Sequence, residues 1–535
     1  LLNGVNISSP QTGHNAADFP VSLSDIERIE VLEGASARVF GSSAFNGAIN
    51  IVTRPDRESC VRLSAEGGSF GSFGGDFGVS LLTGSVSQKL SGGYTQSDGG
   101  TKNSDFKRRR AYYTGSYTSR YADLVWQAGL SSQDYGASTF YSAKFDNQWE
   151  ATRRIITSAQ ADIKPFGDER LVITPQAYWH RDVDHYQLTR GKEGAKNGEN
   201  YHRTDVYGAS LNAHATWFLG KTAVGMDIRK EHILSTAYGD LLPENEWKDI
   251  HGTDRRYDHR GDRTNTSLFL EHNVILGGFT LSAGVLANRN TGLDGDFRFY
   301  PGVDLSYRPN EMWKFYASWN KALRVPTYTD LYTSNSVQQG DTGLRPERTS
   351  TFKAGTRFRT RGVEAVVSGF YSKGNDIIDW VYETEESRKY HAMNIGKLDN
   401  MGYSVDATLN MTELLPGSFV TRIKAGYARI HQRHTTEQPV YRSLYALEYL
   451  RHKATFQLDH RIWSRLSASW AVRWQERMNH YEPYTKVDCK LQWTAPTYSL
   501  YVKADNITNH RYYDLGGVRQ PGLWIMAGGS VKIGL

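Results

Sequence analysis

A short polar loop near the start of the chain holds the side chains best suited to bind a ligand. Within Ser8–Pro20 these are Gln11, Thr12, His14 and Asn15. They offer hydrogen-bond donors and acceptors without a fixed charge. This chemistry suits an uncharged, amide-rich ligand, and the alternative is that the four side chains only close a turn.

A second group of candidate contacts is aromatic and lies much farther along the chain. Phe140, Tyr141 and Trp149 belong to a long polar connector between two apolar runs. Aromatic rings supply large contact areas for a bound molecule. We therefore predict that these rings pack on a ligand. The alternative is that they form a loop core or an interfacial layer.

Catalytic motifs are not evident in this sequence. No nucleophile elbow in a strand–turn–helix context and no Cys/His cluster at zinc spacing is recognised in the sequence. The run Gly67–Gly78 (GGSFGSFGGDFG) lacks the Gly-Lys-Ser/Thr ending of a phosphate loop and is interpreted as a curved hairpin. The sequence therefore predicts a protein that is not an enzyme and requires no cofactor.

Three acidic segments offer oxygen ligands for structural calcium in loops. They are Asp98–Asp105, Asp294–Asp296 and Glu383–Glu386. Clustered carboxylate oxygens are the ligands that Ca²⁺ prefers. Solvated loop charge is the favoured interpretation of the same residues.

Composition excludes several classes of protein. The formal net charge is only +6 over 535 residues, which gives no reason to expect nucleic-acid binding. Mean hydropathy is −0.56, and no run of about 18 apolar residues suggests a membrane-spanning helix. Cys60 and Cys489, the only cysteines, lie far apart in sequence, so we predict two free thiols.

From residue 62 onward, apolar and polar residues alternate with a period of two. In Trp313–Asn320, for example, Trp313, Phe315 and Trp319 fall on one face and polar residues on the other. Tight and long polar connectors also occur together, which is typical of an outer-membrane β-barrel. Strands of ~9–11 residues with their connectors give about 22 antiparallel strands after residue 55, a size class with a plugged lumen.

Several separated motifs together resemble the TonB-dependent outer-membrane receptors. They are IERIEVLEG, GAINIVTR, YASWNKALRVPTYTDL, GLRPERT and DNITNHRYYDLGGVRQPG, at Ile26–Gly34, Gly47–Arg54, Tyr316–Leu331, Gly343–Thr349 and Asp505–Gly522. The resemblance implies that residues 1–55 form the second half of an α+β plug domain. It implies that residues 56–535 form the transmembrane barrel around that plug.

The same resemblance implies a location and partners. The protein would lie in the outer membrane of a Gram-negative bacterium, in contact with outer-membrane lipids, and would take energy from the TonB–ExbB–ExbD complex. The first half of the plug, with its N-terminal energy-coupling segment, is not recognised in the sequence. A surface lipoprotein that captures ligand is a further partner that the long loops allow.

Within the family, several phrases are most similar to those of cobalamin (vitamin B12) receptors. They include Ser9–Pro20, Glu33–Asn50, Ser138–Glu150 and Tyr449–Trp463. This similarity predicts uptake of cobalamin or related corrinoids, with the loop Ser8–Pro20 as an outward-facing plug apex. A ferric-siderophore receptor is the alternative, and a barrel enzyme or a passive porin is less favoured.

The family also holds its plug with buried ion pairs, which suggests a latch. Arg28 in the plug and Glu347 in the barrel motif are the predicted partners. The alternative is that Arg28 pairs within the plug, with Glu27 or Glu30.

Overall fold

The fold is that of the computed structural model, which describes most of the chain. The described residues are 1–13, 17–32, 47–142, 144–436, 438–447, 449–478, 481–514 and 518–535.

The first 55 residues contribute a small two-stranded antiparallel sheet. It consists of β1 (Ile26–Leu32) and β2 (Ala48–Thr53). Leu2 forms an additional bridge to Ile51 in β2, and a 3₁₀ turn at Leu23–Asp25 leads into β1. This segment is anchored by a buried apolar cluster that it shares with inward-facing residues of the large sheet: Leu2, Val5, Ile7, Val21, Ile51, Tyr112, Ile156, Tyr178 and Val206.

The rest of the described chain is dominated by one closed antiparallel barrel of 22 wall strands. Each strand pairs with the next along the chain, and β3 pairs with both β4 and β33, which closes the ring. The wall strands, numbered in chain order, are β3 (Cys60–Gly68), β4 (Ser72–Thr83), β5 (Val86–Ser97), β6 (Phe106–Thr118), β7 (Ala122–Ser138), β8 (Gln148–Ile163), β9 (Leu171–Gln187), β10 (Glu199–Trp217), β11 (Gly220–Ser235), β15 (His259–Leu276), β16 (Phe279–Asn290), β17 (Arg298–Tyr307), β18 (Trp313–Arg324), β20 (Glu347–Thr360), β21 (Val363–Asn375), β24 (Lys397–Asn410), β25 (Val420–Thr435), β27 (Leu450–Trp463), β28 (Leu466–Arg477), β29 (Tyr484–Thr494), β30 (Tyr498–Asp505) and β33 (Trp524–Gly534).

Short elements occupy the connectors. The remaining strands are β12 (Asp240–Leu241), β13 (Lys248–Asp249), β14 (Arg256–Tyr257), β19 (Gln338–Gln339), β22 (Ile378–Tyr382), β23 (Tyr390–Asn394), β26 (Arg442–Ser443), β31 (Tyr513–Asp514) and β32 (Val518–Arg519). The helices are α1 (Tyr328–Tyr332), α2 (Met411–Leu414) and 3₁₀ turns at Ala195–Asn197 and Glu244–Glu246. Among the described helices, none has the length and apolarity that crossing a bilayer would require.

Four connector strands, β19, β23, β22 and β26, form a separate sheet at the end of the barrel that carries the long loops. Its buried residues include Trp380, Val381 and Ala392. The opposite end of the barrel has tight turns, such as the two-residue hairpin between Trp217 and Gly220. This asymmetry identifies the long-loop end as the extracellular end.

Several wall strands are longer than the sequence suggested. Strands β7 to β11 and β15 have 16 to 19 residues, whereas the membrane requires only ~9–11. The connector that holds Phe140 and Tyr141 is shorter than predicted, because the ladder between β7 and β8 continues past Tyr135–Glu150 to Ser138–Gln148. Above the bilayer both faces of a strand are polar, so the alternation that marks a strand disappears.

The two cysteines are free, as predicted. Cys60 lies in β3 and is buried, while Cys489 lies in β29. The neighbours of β3 are β4 and β33, and those of β29 are β28 and β30, so the two thiols are on non-adjacent strands.

Candidate ligand-binding and plug-docking site

The polar loop predicted to bind ligand lies against the inner wall of the barrel. Gln11 is only 5% exposed, and its Nε2 donates to Asp184 Oδ2 of β9 at 2.7 Å. Its carbonyl oxygen accepts from Thr329 N at 2.8 Å and from Thr329 Oγ1 at 2.7 Å. Gln11 therefore connects the loop to β9 and to α1, while Thr12 beside it is half-buried. His14 and Asn15 lie outside the described residues.

The backbone of the same loop is also held by the wall. Arg229 Nη2 donates to the Ser8 carbonyl at 2.9 Å, and Arg108 Nη2 donates to the Phe19 carbonyl at 2.9 Å. Tyr328 N donates to the Pro10 carbonyl at 3.1 Å. Buried carbonyls need such donors, so the barrel holds the loop through its backbone as well as through its side chains.

One buried ion-pair network joins this loop to the barrel through Asp18. Arg154 of β8 lies 3.2 Å from Asp18 Oδ1 and also pairs with Asp182 of β9. His180 Nδ1 lies 3.1 Å from Asp182 Oδ2. Burial raises the pKa of Asp18 above its ordinary value, and the Arg154 charge opposes that rise. The network pairs a plug carboxylate with a wall guanidinium in a dry environment.

A second buried pair connects the 3₁₀ turn to the wall. Lys89 Nζ of β5 lies 3.1 Å from Asp25 Oδ1, and the two side chains are 1% and 0% exposed. Lys89 Nζ also donates to the Ser24 carbonyl at 2.8 Å. Asp25 Oδ2 accepts from Ser22 N at 2.8 Å and from Ser91 Oγ at 2.9 Å. The second oxygen of Asp25 is thus hydrogen-bonded on both sides of the interface.

The predicted latch between Arg28 and Glu347 is wrong. Arg28 pairs with Glu27 at 3.1 Å and Glu30 at 2.7 Å, and its side chain is 54% exposed. Glu347 is buried and pairs with Arg324 at 2.5 Å, within the barrel. The alternative, in which Arg28 pairs inside the plug, is confirmed. The physical reason is proximity, since Glu30 is the next residue on the same face of β1 and the long Arg28 side chain also reaches the adjacent Glu27.

Two of the three predicted aromatic contacts lie in the loop between β7 and β8. Tyr141 packs edge-on against Phe140 at 5.0 Å and against Tyr186 at 5.1 Å between ring centroids. The Tyr141 hydroxyl donates to Glu150, and burial raises the pKa of Tyr141 well above its usual range. Phe140 is 42% exposed. A ligand contact by these two rings stays a prediction.

The third aromatic residue, Trp149, lies on the outer face of the barrel wall. Gln148 and Glu150 are buried on the inner face of β8, so Trp149 between them faces outward. Its ring packs against His185 at 5.1 Å, and His185 stacks on Tyr201 at 4.0 Å. Strand alternation thus places Trp149 on the outer face of the wall, and a ligand contact by this ring stays a prediction.

The acidic loop segments are largely paired with cations. Asp105 lies 2.7 Å from Arg190, and Asp294 pairs with Arg298. Glu383 lies 2.8 Å from His391. In the part of the chain that the structure describes, no group of three or more His, Cys, Asp or Glu residues could hold a metal ion. Calcium binding stays a prediction without a defined site.

The docking residues Asp18, Asp25, Lys89 and Arg154 were not identified from the sequence. A signal for the wall residues does exist, because Lys89 and Arg154 occupy inward positions and each is followed by an apolar outward residue, Leu90 and Ile155. Charge at an inward position is ordinary in a barrel lumen. An inward charge alone therefore does not show whether the residue docks the plug or faces water. That distinction requires the position of the plug residue that it contacts.

Comparison with known proteins identifies the family. Residues 61–507 match the family model described as TonB dependent receptor-like, beta-barrel, and residues 1–48 match the TonB-dependent Receptor Plug Domain. The vitamin B12 transporter BtuB of Photobacterium profundum is 23% identical over 459 residues, which are 76% of this chain. The chain spans 64% of the length of that curated relative.

Solved structures resemble the whole barrel. The ferric enterobactin receptor PfeA of Pseudomonas aeruginosa superposes with a TM-score of 0.78 at 16% identity, covering 100% of this chain and 90% of the other. The copper transporter OprC also gives 0.78, at 17% identity, with the same coverage. At such identities the likeness concerns the fold alone.

Proposed function

Because this chain belongs to the TonB-dependent receptor family and forms an outer-membrane β-barrel, we propose that it imports cobalamin or a related corrinoid. Uptake would use energy from the TonB–ExbB–ExbD complex of the inner membrane. The process needs no covalent chemistry by the receptor, so we infer a transporter rather than an enzyme.

The position of the loop Ser8–Pro20 carries this proposal. The loop is docked inside the lumen and contacts α1, which follows a barrel strand at the extracellular end. A molecule that enters from outside would therefore meet this loop. The nearest plug carboxylate, Asp18, is paired with Arg154 and offers no free charge to a ligand. An uncharged, amide-rich molecule suits such a surface, and the Photobacterium relative is named as a vitamin B12 transporter.

The mechanism follows from the plug contacts. A barrel of this size has a lumen wide enough to need a plug. A ligand shifts the plug between two states only by its difference in affinity for them. The buried pairs Asp18–Arg154 and Asp25–Lys89 would resist movement. We propose that the inner-membrane motor supplies the work that ligand binding cannot supply.

A ferric siderophore is the second candidate, and one observation favours it. Arg108 faces the lumen and donates to the Phe19 carbonyl, yet it has no ion pair with any residue in the described ranges. Its Nε is buried without a hydrogen-bond partner. A ligand with net negative charge would compensate this cation, whereas cyanocobalamin carries no net charge.

Direct binding to the purified full-length receptor separates the two candidates. We expect cyanocobalamin to bind with nanomolar Kd and ferric siderophores to show no binding. Phe140→Ala should weaken cyanocobalamin binding roughly tenfold, as expected for an aromatic anchor. Phe297→Ala is the matched control, since Phe297 is 43% exposed in a different loop. Binding of a ferric siderophore without cobalamin would replace the first proposal with the second.

A further inference from the structure

The outward face of strands β8 to β11 carries a group of cations near the extracellular end. Arg153, Arg181, Arg203 and Lys230 form this outer cationic patch. Each alternates along its strand with inward residues that are buried, such as Arg154 next to Arg153. The patch therefore faces the surroundings of the barrel and not its lumen.

The strand register places these cations close together. Arg153 of β8 and Arg203 of β10 both pair with Val183 of β9, from opposite sides. Adjacent strands lie ~4.8 Å apart, so the two backbones are about 10 Å from each other. Arg181 is the next outward residue of β9 toward the membrane, in register with Asp205. The three guanidinium groups surround one small area of the outer surface.

Most of this charge is not neutralised by the protein. Arg181 and Arg203 share one carboxylate, Asp205, at 2.7 and 3.3 Å. Arg153 and Lys230 are exposed and form no ion pair with any residue that the structure describes. One carboxylate thus serves two of the four cations, and Arg153 and Lys230 keep exposed charges that favour an anionic partner.

Directly below the three arginines the same surface becomes apolar, and Lys230 borders this apolar zone because it is in register with Tyr207. Arg181 lies over the ring of Trp179, with 5.4 Å from Arg181 Cζ to the ring centroid. Tyr207 pairs with Trp179 and is 50% exposed, and Leu211 farther down β10 is 56% exposed. A partner that contacts both surfaces must place negative charge against the cationic patch and hydrocarbon against the apolar surface nearer the membrane centre.

We propose that the outer cationic patch binds the phosphorylated headgroup of a lipopolysaccharide-type glycolipid in the outer leaflet. The guanidinium groups suit phosphate because their geometry allows paired hydrogen bonds. The apolar zone beneath them accommodates the acyl chains of the same molecule. A soluble protein partner fits less well, because it would leave Trp179, Tyr207 and Leu211 without a hydrocarbon environment. The inference does not depend on which ligand the receptor transports.

Two other outward cations of the barrel are single, and they show how the outer cationic patch differs from an ordinary membrane interface. Lys321 lies over Trp319 at 5.7 Å, and Lys373 lies over Tyr371 at 5.8 Å. These are single cations at the aromatic border, which is a common interfacial arrangement. The patch on β8 to β11 brings four cations together, and we expect it to hold lipid more tightly.

Lipid binding to the purified full-length receptor in detergent tests the proposal. Native mass spectrometry with diphosphoryl lipid A should show one lipid retained, and phosphatidylglycerol should be retained less. The double variant Arg153→Gln/Lys230→Gln should weaken lipid A binding roughly tenfold, the sum expected from two surface charge contacts. Since neither residue forms an ion pair with the described part of the protein, their replacement leaves no described carboxylate unpaired.

The control lies at the other end of β9. Arg170→Gln removes an exposed arginine near Phe166 in a tight-turn region and should leave lipid A binding unchanged. Heat-modifiable electrophoretic mobility would verify that each variant is folded. Equal lipid A binding by the double variant and the unchanged protein would overturn the proposal. Equal retention of phosphatidylglycerol and lipid A would also overturn it, because it would show a nonspecific anionic surface.

Discussion

Two regions of the plug hold ion pairs of similar chemistry, one enclosed against the barrel and the other exposed to water. The Asp25–Lys89 pair crosses from plug to barrel, and its side chains are 0% and 1% exposed. The pairs of Arg28 with Glu27 and Glu30 stay within the plug, and Arg28 is 54% exposed. The sequence drew attention to Arg28, whereas the structure places the interfacial contact at Asp25.

The difference teaches which charges can hold the plug. An exposed pair is worth ~0–1 kcal/mol because water competes for both partners. Removing one partner of an enclosed pair costs about 3–5 kcal/mol because the other charge is left buried. Among the pairs that the structure describes, the enclosed pairs Asp25–Lys89 and Asp18–Arg154 join the two domains and are strong enough to matter.

The largest effect should come from breaking the enclosed pair at β5. Lys89→Met leaves Asp25 buried without its cation and also removes the donor to the Ser24 carbonyl. We expect plug docking to weaken by about 3–5 kcal/mol. Single-channel recording in planar bilayers with increasing urea would show this as plug release, and higher conductance, at a lower urea concentration.

A second substitution separates charge loss from lost packing. In the double variant Lys89→Met/Asp25→Asn no charge of this pair stays buried, and the new side-chain amide still offers an oxygen to Ser22 N or Ser91 Oγ. The double variant should therefore regain part of the lost docking strength. Plug release by Lys89→Met at the same urea concentration as the unchanged receptor would refute the role of this pair.

A smaller loss should follow from changing the other enclosed cation. Arg154→Met removes the partner of Asp18 and Asp182, but His180 stays 3.1 Å from Asp182. We expect plug docking to weaken by about 2–4 kcal/mol, slightly below the full cost of breaking a buried pair. Limited proteolysis of the loop Ser8–Pro20 would measure the change, with the exposed Arg153→Met as a matched neighbour control. Equal cleavage rates in both variants would argue against a docking role for Arg154.

Much of the barrel could be predicted from the sequence, and little of the docking site. Alternation in segments such as Trp313–Asn320 identified the wall because one face of each strand meets lipid and the other the lumen. Arg28 could be assigned partners because they are one and two residues away. Gln11 and Asp184 are 173 residues apart, and Asp25 and Lys89 are 64 apart. Such contacts depend on barrel closure and strand register, and a one-residue slip would turn each wall side chain outward.

The pH dependence of plug docking should differ between an enclosed plug carboxylate, Asp18, and an exposed one, Glu27. Burial raises the pKa of Asp18, so the docked plug holds that proton more tightly than the undocked plug does. Docking should therefore be strongest below the ordinary Asp pKa and weaken as pH rises through the raised value. Asp18→Asn cannot titrate, and it should flatten this part of the pH profile of urea-induced plug release.

Other carboxylates also titrate in that range, so the informative quantity is the difference between the two profiles. Glu27→Gln is the control, because Glu27 lies in the exposed region and contacts Arg28. It should leave the profile of the unchanged receptor nearly intact. A profile for Asp18→Asn that is as steep as that of the unchanged receptor would show that Asp18 does not titrate with docking.

The smallest effect should come from the exposed region itself. Arg28→Ala removes two pairs, yet both lie in water and neither reaches the barrel. Glu30 keeps its hydrogen bond from Asn50 Nδ2 at 2.9 Å, which is the main reason that the pKa of Glu30 is lowered. We expect docking to change by less than ~0.5 kcal/mol, with antibiotic leakage into cells like that of the unchanged receptor. Leakage equal to that of Lys89→Met would mean that exposed and enclosed charges hold the plug alike, and the comparison between the two regions would fail.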